Sequence, residues 1–133
     1  MRIFLSAAAV AAALTAQAPT APRKGGNPEA AKTKNPVAAS PESIAAGKRS
    51  YTRFCIKCHG AEGAGDGTGA TGPVAPQDMT DDKWEYGGSD GEIFAVIHDG
   101  IPNSPDMEGY SARMSDTDIW NVVNYVRSVA AKP

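Results

Sequence analysis

Cysteine is scarce. The 133 residues hold two, Cys55 and Cys58, too close together to staple a large loop. That excludes a disulfide scaffold as the main source of stability. There is no apolar run of about 18 residues, so a full transmembrane span is not expected. Basic charge is not in excess: 13 Lys and Arg stand against 15 Asp and Glu, for a net charge of -2. A strongly basic nucleic-acid binder is therefore not indicated, and no nucleic-acid partner is expected. No segment alternates apolar and polar residues over five positions, so no strand is predicted. Aromatics make up 7%, and all but Phe4 lie between Tyr51 and Tyr125, which places the core there.

The front of the chain reads as an address and a tether. Met1 and Arg2 give a short positive start, and residues 3–16 are nearly unbroken apolar sequence. Ala16-Gln17-Ala18 then gives a small-x-small cleavage pattern, so residues 1–18 are expected to be a secretory signal peptide and the protein periplasmic. An uncleaved segment would instead tether it to the membrane. Residues 19–39 contain four Pro, two Gly and no aromatic residue. That composition predicts a flexible linker with too little apolar surface to offset its ordering entropy. It carries Arg23, Lys24, Lys32 and Lys34 against Glu29, a weak signal for peripheral membrane contact. Residues 40–133 carry eight Lys and Arg and fourteen Asp and Glu, so this expected domain is acidic, and any protein partner is expected to dock with a basic face.

Three segments of the domain have helical period. The first spans about residues 41–54: Ser40 can cap it, Pro41 suits the first helical position, and Ile44, Gly47, Tyr51, Phe54 and Cys55 share a face. The second spans about residues 90–99, opened by a Ser89/Glu92 capping box, with Ile93, Val96 and Ile97 as its apolar stripe. Gly100 can end it in the left-handed conformation, with Pro102 following. The third spans about residues 116–130, capped by Ser115, with Ile119, Val122, Val123 and Val126 inward. Residues 60–88 lack any periodic pattern. An irregular stretch of that length argues against a compact domain unless it wraps something.

Cys55-Ile56-Lys57-Cys58-His59 is a C-x-x-C-H pentapeptide, the pattern of covalent haem attachment. Two thiols on one turn can each add to a haem vinyl group, and the adjacent His59 is then held under the iron. Three other readings compete. A thioredoxin-like redox pair would open a helix after a strand, whereas this motif closes one. A zinc site would need two more ligands, and His98 is the one obvious candidate. A bare disulfide would leave His59 and the long loop without a role. Gly67-x-Gly69-x-x-Gly72 matches a nucleotide-binding pattern formally, but no strand precedes it and no helix follows.

From about Ser40 to Val129 the chain resembles the class I cytochrome c family, in particular its small bacterial monohaem members. Gly47 and Tyr51 before Cys55, Val122 and Tyr125 in the last helix, and the run Cys58-His59-Gly60 through Gly67 carry the resemblance. It implies an all-α cytochrome c-like fold, three main helices and long loops around one covalently bound haem c, with Cys55 and Cys58 forming two thioether bonds. It implies that Gly47 lets the first and last helices cross closely. It implies that His59 and Met107 ligate the iron, Met107 lying in Gly100-x-Pro102…Met107 with Tyr110 three residues later. The family commonly has Pro after that Met; this chain has Glu108. The departure sets Asp106 and Glu108 beside the exposed haem edge. Met79 and His98 are weaker ligand candidates: Met79 is read as packing on the haem and His98 as an ordinary helical histidine. Met114 is read as core. The resemblance assigns the carbonyl that orients the proximal His to a Pro, here Pro73 or Pro76, and lets Trp84 and Tyr86 bond the propionates or pack on the ring. A six-coordinate iron has no open site, so the expected function is one-electron transfer between periplasmic or membrane-bound redox partners, and not catalysis. An electron-accepting subunit of a dehydrogenase or oxidase, and a haem enzyme or sensor with an open iron, are the alternatives.

Overall fold

The computed structural model describes residues 21–130. The expected signal peptide, residues 1–18, lies outside the described residues. Among the described residues there are five helices: α1 (Pro28–Ala31), α2 (Pro41–Phe54), α3 (Ile56–His59), α4 (Asp90–Asp99) and α5 (Asp116–Ala130). Among the described residues the β structure is a single bridge between Gly100 and Glu108. The all-α expectation holds.

The three periodic segments form as α2, α4 and α5, and their ends follow from local chemistry. The Ser40 hydroxyl accepts from the Ser43 N–H with Pro41 just inside the helix. Ser89 and Glu92 form the reciprocal capping box. Ser115 and Asp118 make the same exchange at the start of α5. Gly100 ends α4 at φ 75° and ψ 171°, a positive φ with an extended ψ and not the left-handed helical conformation anticipated. Its role is to turn the chain outward while its N–H still bonds the Val96 carbonyl.

Helices α2 and α5 cross at Gly47. A Cβ there would overlap the Asn121 carbonyl, so only Gly allows the approach. One turn later the Tyr51 and Tyr125 rings meet at 5.0 Å and 54°. The Tyr51 hydroxyl donates to the Gly60 carbonyl at 2.7 Å, tying the crossing to the chain just beyond the motif. Helix α4 packs its stripe on α5, so Ile93, Ile97, Ile119, Val122, Val123 and Val126 form one cluster. Met114 is 6% exposed within it, as its core reading requires.

Residues 21–39 are not the flexible linker that their composition suggests. The segment forms an arm packed on α4 and α5, with α1 inside it. Asn27 and Ala30 are buried, at 3% and 2% exposure. Glu92 has a carboxylate that accepts from the Asn27 N–H at 2.8 Å while its other oxygen accepts from Ser89. Asn35 donates to the Trp120 carbonyl and to Asn124, and Asn124 donates to the carbonyls of Val37 and Ala38. The compositional argument counts apolar area, but here specific amide bonds and a small-residue contact do the holding: a Cβ at Gly91 would overlap the Ala30 carbonyl.

Burial pushes the Glu92 carboxyl up, but the Ser89 hydroxyl, the Ser89 N–H and the Asn27 N–H together outweigh it and leave it below its ordinary value of 4.5. A lowered folded-state value stabilises the fold fully above about pH 4.5, and the contribution is lost as the pH falls below that through the folded-state value. Glu92→Gln is expected to increase cleavage within residues 21–39 about tenfold at neutral pH in limited proteolysis, in line with the loss of charge-assisted hydrogen bonds. The variant's stability is also expected to fall less steeply than the wild type's below pH 4.5. Equal cleavage rates would mean that the arm is held elsewhere.

Candidate functional site

The loops after α3 and after α4 enclose, with α2, α4 and α5, a cavity of about 350 Å³. Cys55, Cys58, His59 and Met107 all line it. The four residues singled out by the sequence, 48 positions apart between His59 and Met107, are thus gathered in one place. His98 is not among the lining residues; it stacks on Phe94 at 5.3 Å and bonds Asp99 at 2.6 Å, as its ordinary reading requires. Met79 lines the cavity and packs on both hydrophobic clusters. Trp84 and Tyr86 line it too.

The motif forms its own short turn. Helix α2 ends at Phe54, and α3 begins at Ile56 with Cys55 as the cap shared between them. The Cys58 and His59 N–H groups both point back to the Cys55 carbonyl, at 3.2 and 2.9 Å. This turn brings the two sulfurs and the imidazole to one wall. The thiols are not joined to each other. Burial, and then the neighbouring Cys58, push the Cys55 thiol up to about 12. A thiol held that high is a poor thiolate. Among the described residues no group of three or more His, Cys, Asp or Glu is placed to hold a metal ion.

His59 is 8% exposed, and its Nδ1 lies 3.3 Å from the Gln77 carbonyl. Burial lowers its pKa, against the opposing pull of that carbonyl, which favours the neutral ring. With the Nδ1 hydrogen donated to Gln77, Nε2 keeps a free lone pair. The orienting carbonyl belongs to Gln77 and not to Pro73 or Pro76 as anticipated. The Gln77 side-chain amide donates to the Asp78 and Lys83 carbonyls and accepts from the Glu85 N–H, which ties residues 77–85 together around it. No sequence signal marks such a residue, because the group that acts is main chain.

Residues 60–88 wrap the site as a loop, without regular structure. The Gly65 and Gly69 N–H groups bond the carbonyls of His59 and Lys57, and Met79 bonds Gly63. Gly67 lies against the Lys57 and Cys58 carbonyls so closely that a Cβ would overlap them. Gly67 and Gly69, two of the three glycines that formally resembled a nucleotide motif, therefore fold the loop back onto the C-x-x-C-H turn.

The Met107 loop is held at several points. Pro102 and Asn103 form a turn closed by Ser104 N–H to the Ile101 carbonyl at 3.0 Å, with Asn103 at φ 62°. The Ile101 N–H bonds the Met107 carbonyl at 2.9 Å, and the Ser104 hydroxyl accepts from the Met107 N–H at 3.2 Å. Glu108, standing where Pro is common, pairs with Arg113 at 2.8 Å and bridges Gly100, so the loop is braced without a ring at that position. The Tyr110 hydroxyl donates to the Phe54 carbonyl at 3.2 Å, tying the loop to the end of α2.

The donor set fits a haem. One wall offers two free thiols and an imidazole with an open nitrogen, the Met107 loop offers a thioether, and Ile93, Val96, Ile97 and Val126 supply apolar walls.

Comparison with known proteins agrees. Residues 44–130 match the family model described as Cytochrome c. The chain is 32% identical over 98 residues to the Cbb3-type cytochrome c oxidase subunit CcoP of Rubrivivax gelatinosus, and 38% identical over 93 residues to the subunit FixP of Azorhizobium caulinodans. These alignments cover 73% and 65% of this chain but 29% of each relative, so the chain spans less than a third of their length. Among solved structures, a Kuenenia stuttgartiensis reducing HAO-like protein complex, Kustc0457/Kustc0458, superposes with a TM-score of 0.65 at 30% identity, covering 73% of this chain and 49% of that one. Cytochrome CL of Methylophaga aminisulfidivorans superposes with a TM-score of 0.53 at 25% identity, covering 65% and 55%.

Proposed function

The chain belongs to the cytochrome c family, and we propose that it transfers single electrons through one haem c held by Cys55, Cys58, His59 and Met107. Electron transfer by a c-type cytochrome and covalently bound haem c follow from the family. The residue roles, the ligation and the partners are our reading. The bound haem supplies reversible one-electron exchange between ferric and ferrous iron. Cys55 and Cys58 anchor it, and the Gln77 carbonyl orients His59 so that Nε2 is the ligating nitrogen. Met107 would hold the iron through its thioether opposite His59, and iron held by both residues would suit a carrier of electrons rather than an enzyme. Ile93, Val96, Ile97 and Val126 exclude water, which limits solvent reorganisation on electron exchange.

The observation that carries this reading is the convergence of the C-x-x-C-H turn and the Met107 thioether on one apolar cavity. A second reading is supported by the relatives, which are subunits of an oxidase: this domain delivers electrons within a larger assembly. The acidic balance of residues 40–133 suits a basic docking face in either case. The N-terminal sequence supports export and a periplasmic site of action, with association at the membrane surface if residues 1–18 are retained. Among the described residues no helix is long and apolar enough to cross a membrane.

The test is the optical spectrum of the matured protein. The ferric form is expected to show the weak far-red charge-transfer band of thioether sulfur on iron, and the ferrous form to resist carbon monoxide at neutral pH. A high-spin ferric spectrum with ready carbon monoxide binding would transfer the assignment to an enzyme or sensor.

A further inference from the structure

The mouth of the cavity lies between two loops, and one side chain joins them. Pro73 and Val74 line the cavity from the first loop, Pro105 and Asp106 from the second. Pro73, Val74 and Pro105 are exposed, Val74 by 68%, so these segments form the cavity's opening. Asp106 Oδ1 accepts from the Thr71 N–H at 3.1 Å and from the Thr71 hydroxyl at 2.8 Å. Its Oδ2 accepts from the Gly72 N–H at 2.6 Å. Three donors thus converge on one carboxylate across 34 to 35 residues of sequence. The acceptor is charged, so each bond is stronger than a neutral pair. Gly72 is suited to its place: a Cβ there would overlap Asp106 Oδ2.

Asp106 is the residue immediately before Met107. Of the other restraints on the Met107 loop, those from Ser104, Ile101 and the Glu108–Arg113 pair are local to residues 100–113, while the Tyr110 and Ser111 N–H groups bond the Ile97 and His98 carbonyls of α4 and Met107 packs on the apolar cluster. Tyr110 ties the loop's far end to Phe54. The Asp106 carboxylate is the tie that fastens the loop, at the position of its thioether, to the loop on the other side of the opening.

We propose that Asp106, with Thr71 and Gly72, is a positioning latch that holds the Met107 thioether in place by closing the second loop onto the first. The proposal rests on the assignment of Met107 as an iron ligand and deepens it. The latch acts on how often the thioether leaves the iron, and so on how readily an outside ligand enters. It also keeps the same coordination in both oxidation states, which a carrier needs for fast exchange.

The experiment measures imidazole binding to the ferric holoprotein by stopped-flow, because imidazole enters only when the thioether has left. Asp106→Ala is expected to accelerate binding about tenfold, the effect of losing hydrogen bonds to a charged acceptor. Thr71→Val, which removes one donor, is expected to give a smaller acceleration, and Thr71→Ser to behave as wild type. The double variant Asp106→Ala/Thr71→Val is expected to match Asp106→Ala alone, because both break the same tie. All are expected to keep the far-red band at rest. Should Asp106→Ala fail to mature with haem, the Thr71 pair carries the test. Wild-type rates in Thr71→Val and Asp106→Ala, in a protein whose wild type shows the band, would overturn the latch and leave Met107 as ligand. A wild type without the band would overturn the ligand assignment, and the latch with it.

Discussion

Met107→Ala is expected to abolish the far-red band, admit carbon monoxide to the ferrous iron and lower the reduction potential. A thioether ligand favours the ferrous state, and axial ligation sets potentials across a range of roughly 0.8 V. Replacing it by water or an open position removes that preference, so the shift is downward. Met79→Leu serves as the control. Met79 also lines the cavity, but its N–H is tied to the Gly63 carbonyl and it packs on both hydrophobic clusters. A leucine there fills similar space, so the band is expected to survive. The assignment fails if the band persists in Met107→Ala and disappears in Met79→Leu.

The chain without haem is expected to lose most of its helix. The group occupies a cavity of about 350 Å³ in a domain of modest core. At roughly 24 cal/mol per Å³ of cavity, leaving that space unfilled would cost on the order of 8 kcal/mol, an upper figure because the mouth opens to water. Small domains have about 5–15 kcal/mol of total stability, so even part of that penalty is a large share of it. The variant Cys55→Ala/Cys58→Ala, produced without attached haem, is therefore expected to show a far-ultraviolet circular dichroism spectrum of a largely unfolded chain. Native helix content in that variant would mean that the α2–α5 crossing and the α4 stripe are self-sufficient.

The legibility of this protein in its sequence was uneven for physical reasons. Helices α2, α4 and α5 were readable because their apolar stripes and their caps at Ser40, Ser89 and Ser115 are local patterns. The crossing at Gly47 was readable through the resemblance, since a close approach demands the one residue without a side chain. The C-x-x-C-H turn was readable because five adjacent residues carry the whole attachment chemistry. The arm is not legible in composition. Residues 21–39 have the composition of a linker, and what holds them is a small number of long-range bonds, from Asn27 to Glu92 and from Asn35 to Asn124. Composition averages over a segment, and a few amides placed against the right partners do not alter the average.

The sequence by itself determined the class of cofactor, the three main helices and the candidates Cys55, Cys58 and His59, because each rests on neighbours in the chain, and the family resemblance added Met107 as a candidate. The tertiary structure alone decided which carbonyl orients His59, how the Met107 loop is braced with Glu108 in place of Pro, and that Asp106 ties that loop to Thr71 and Gly72. Those contacts join residues 18 to 35 positions apart, or just across a loop, and use main-chain groups that every residue carries. Their identity depends on where the chain returns in space, which periodicity and spacing do not encode.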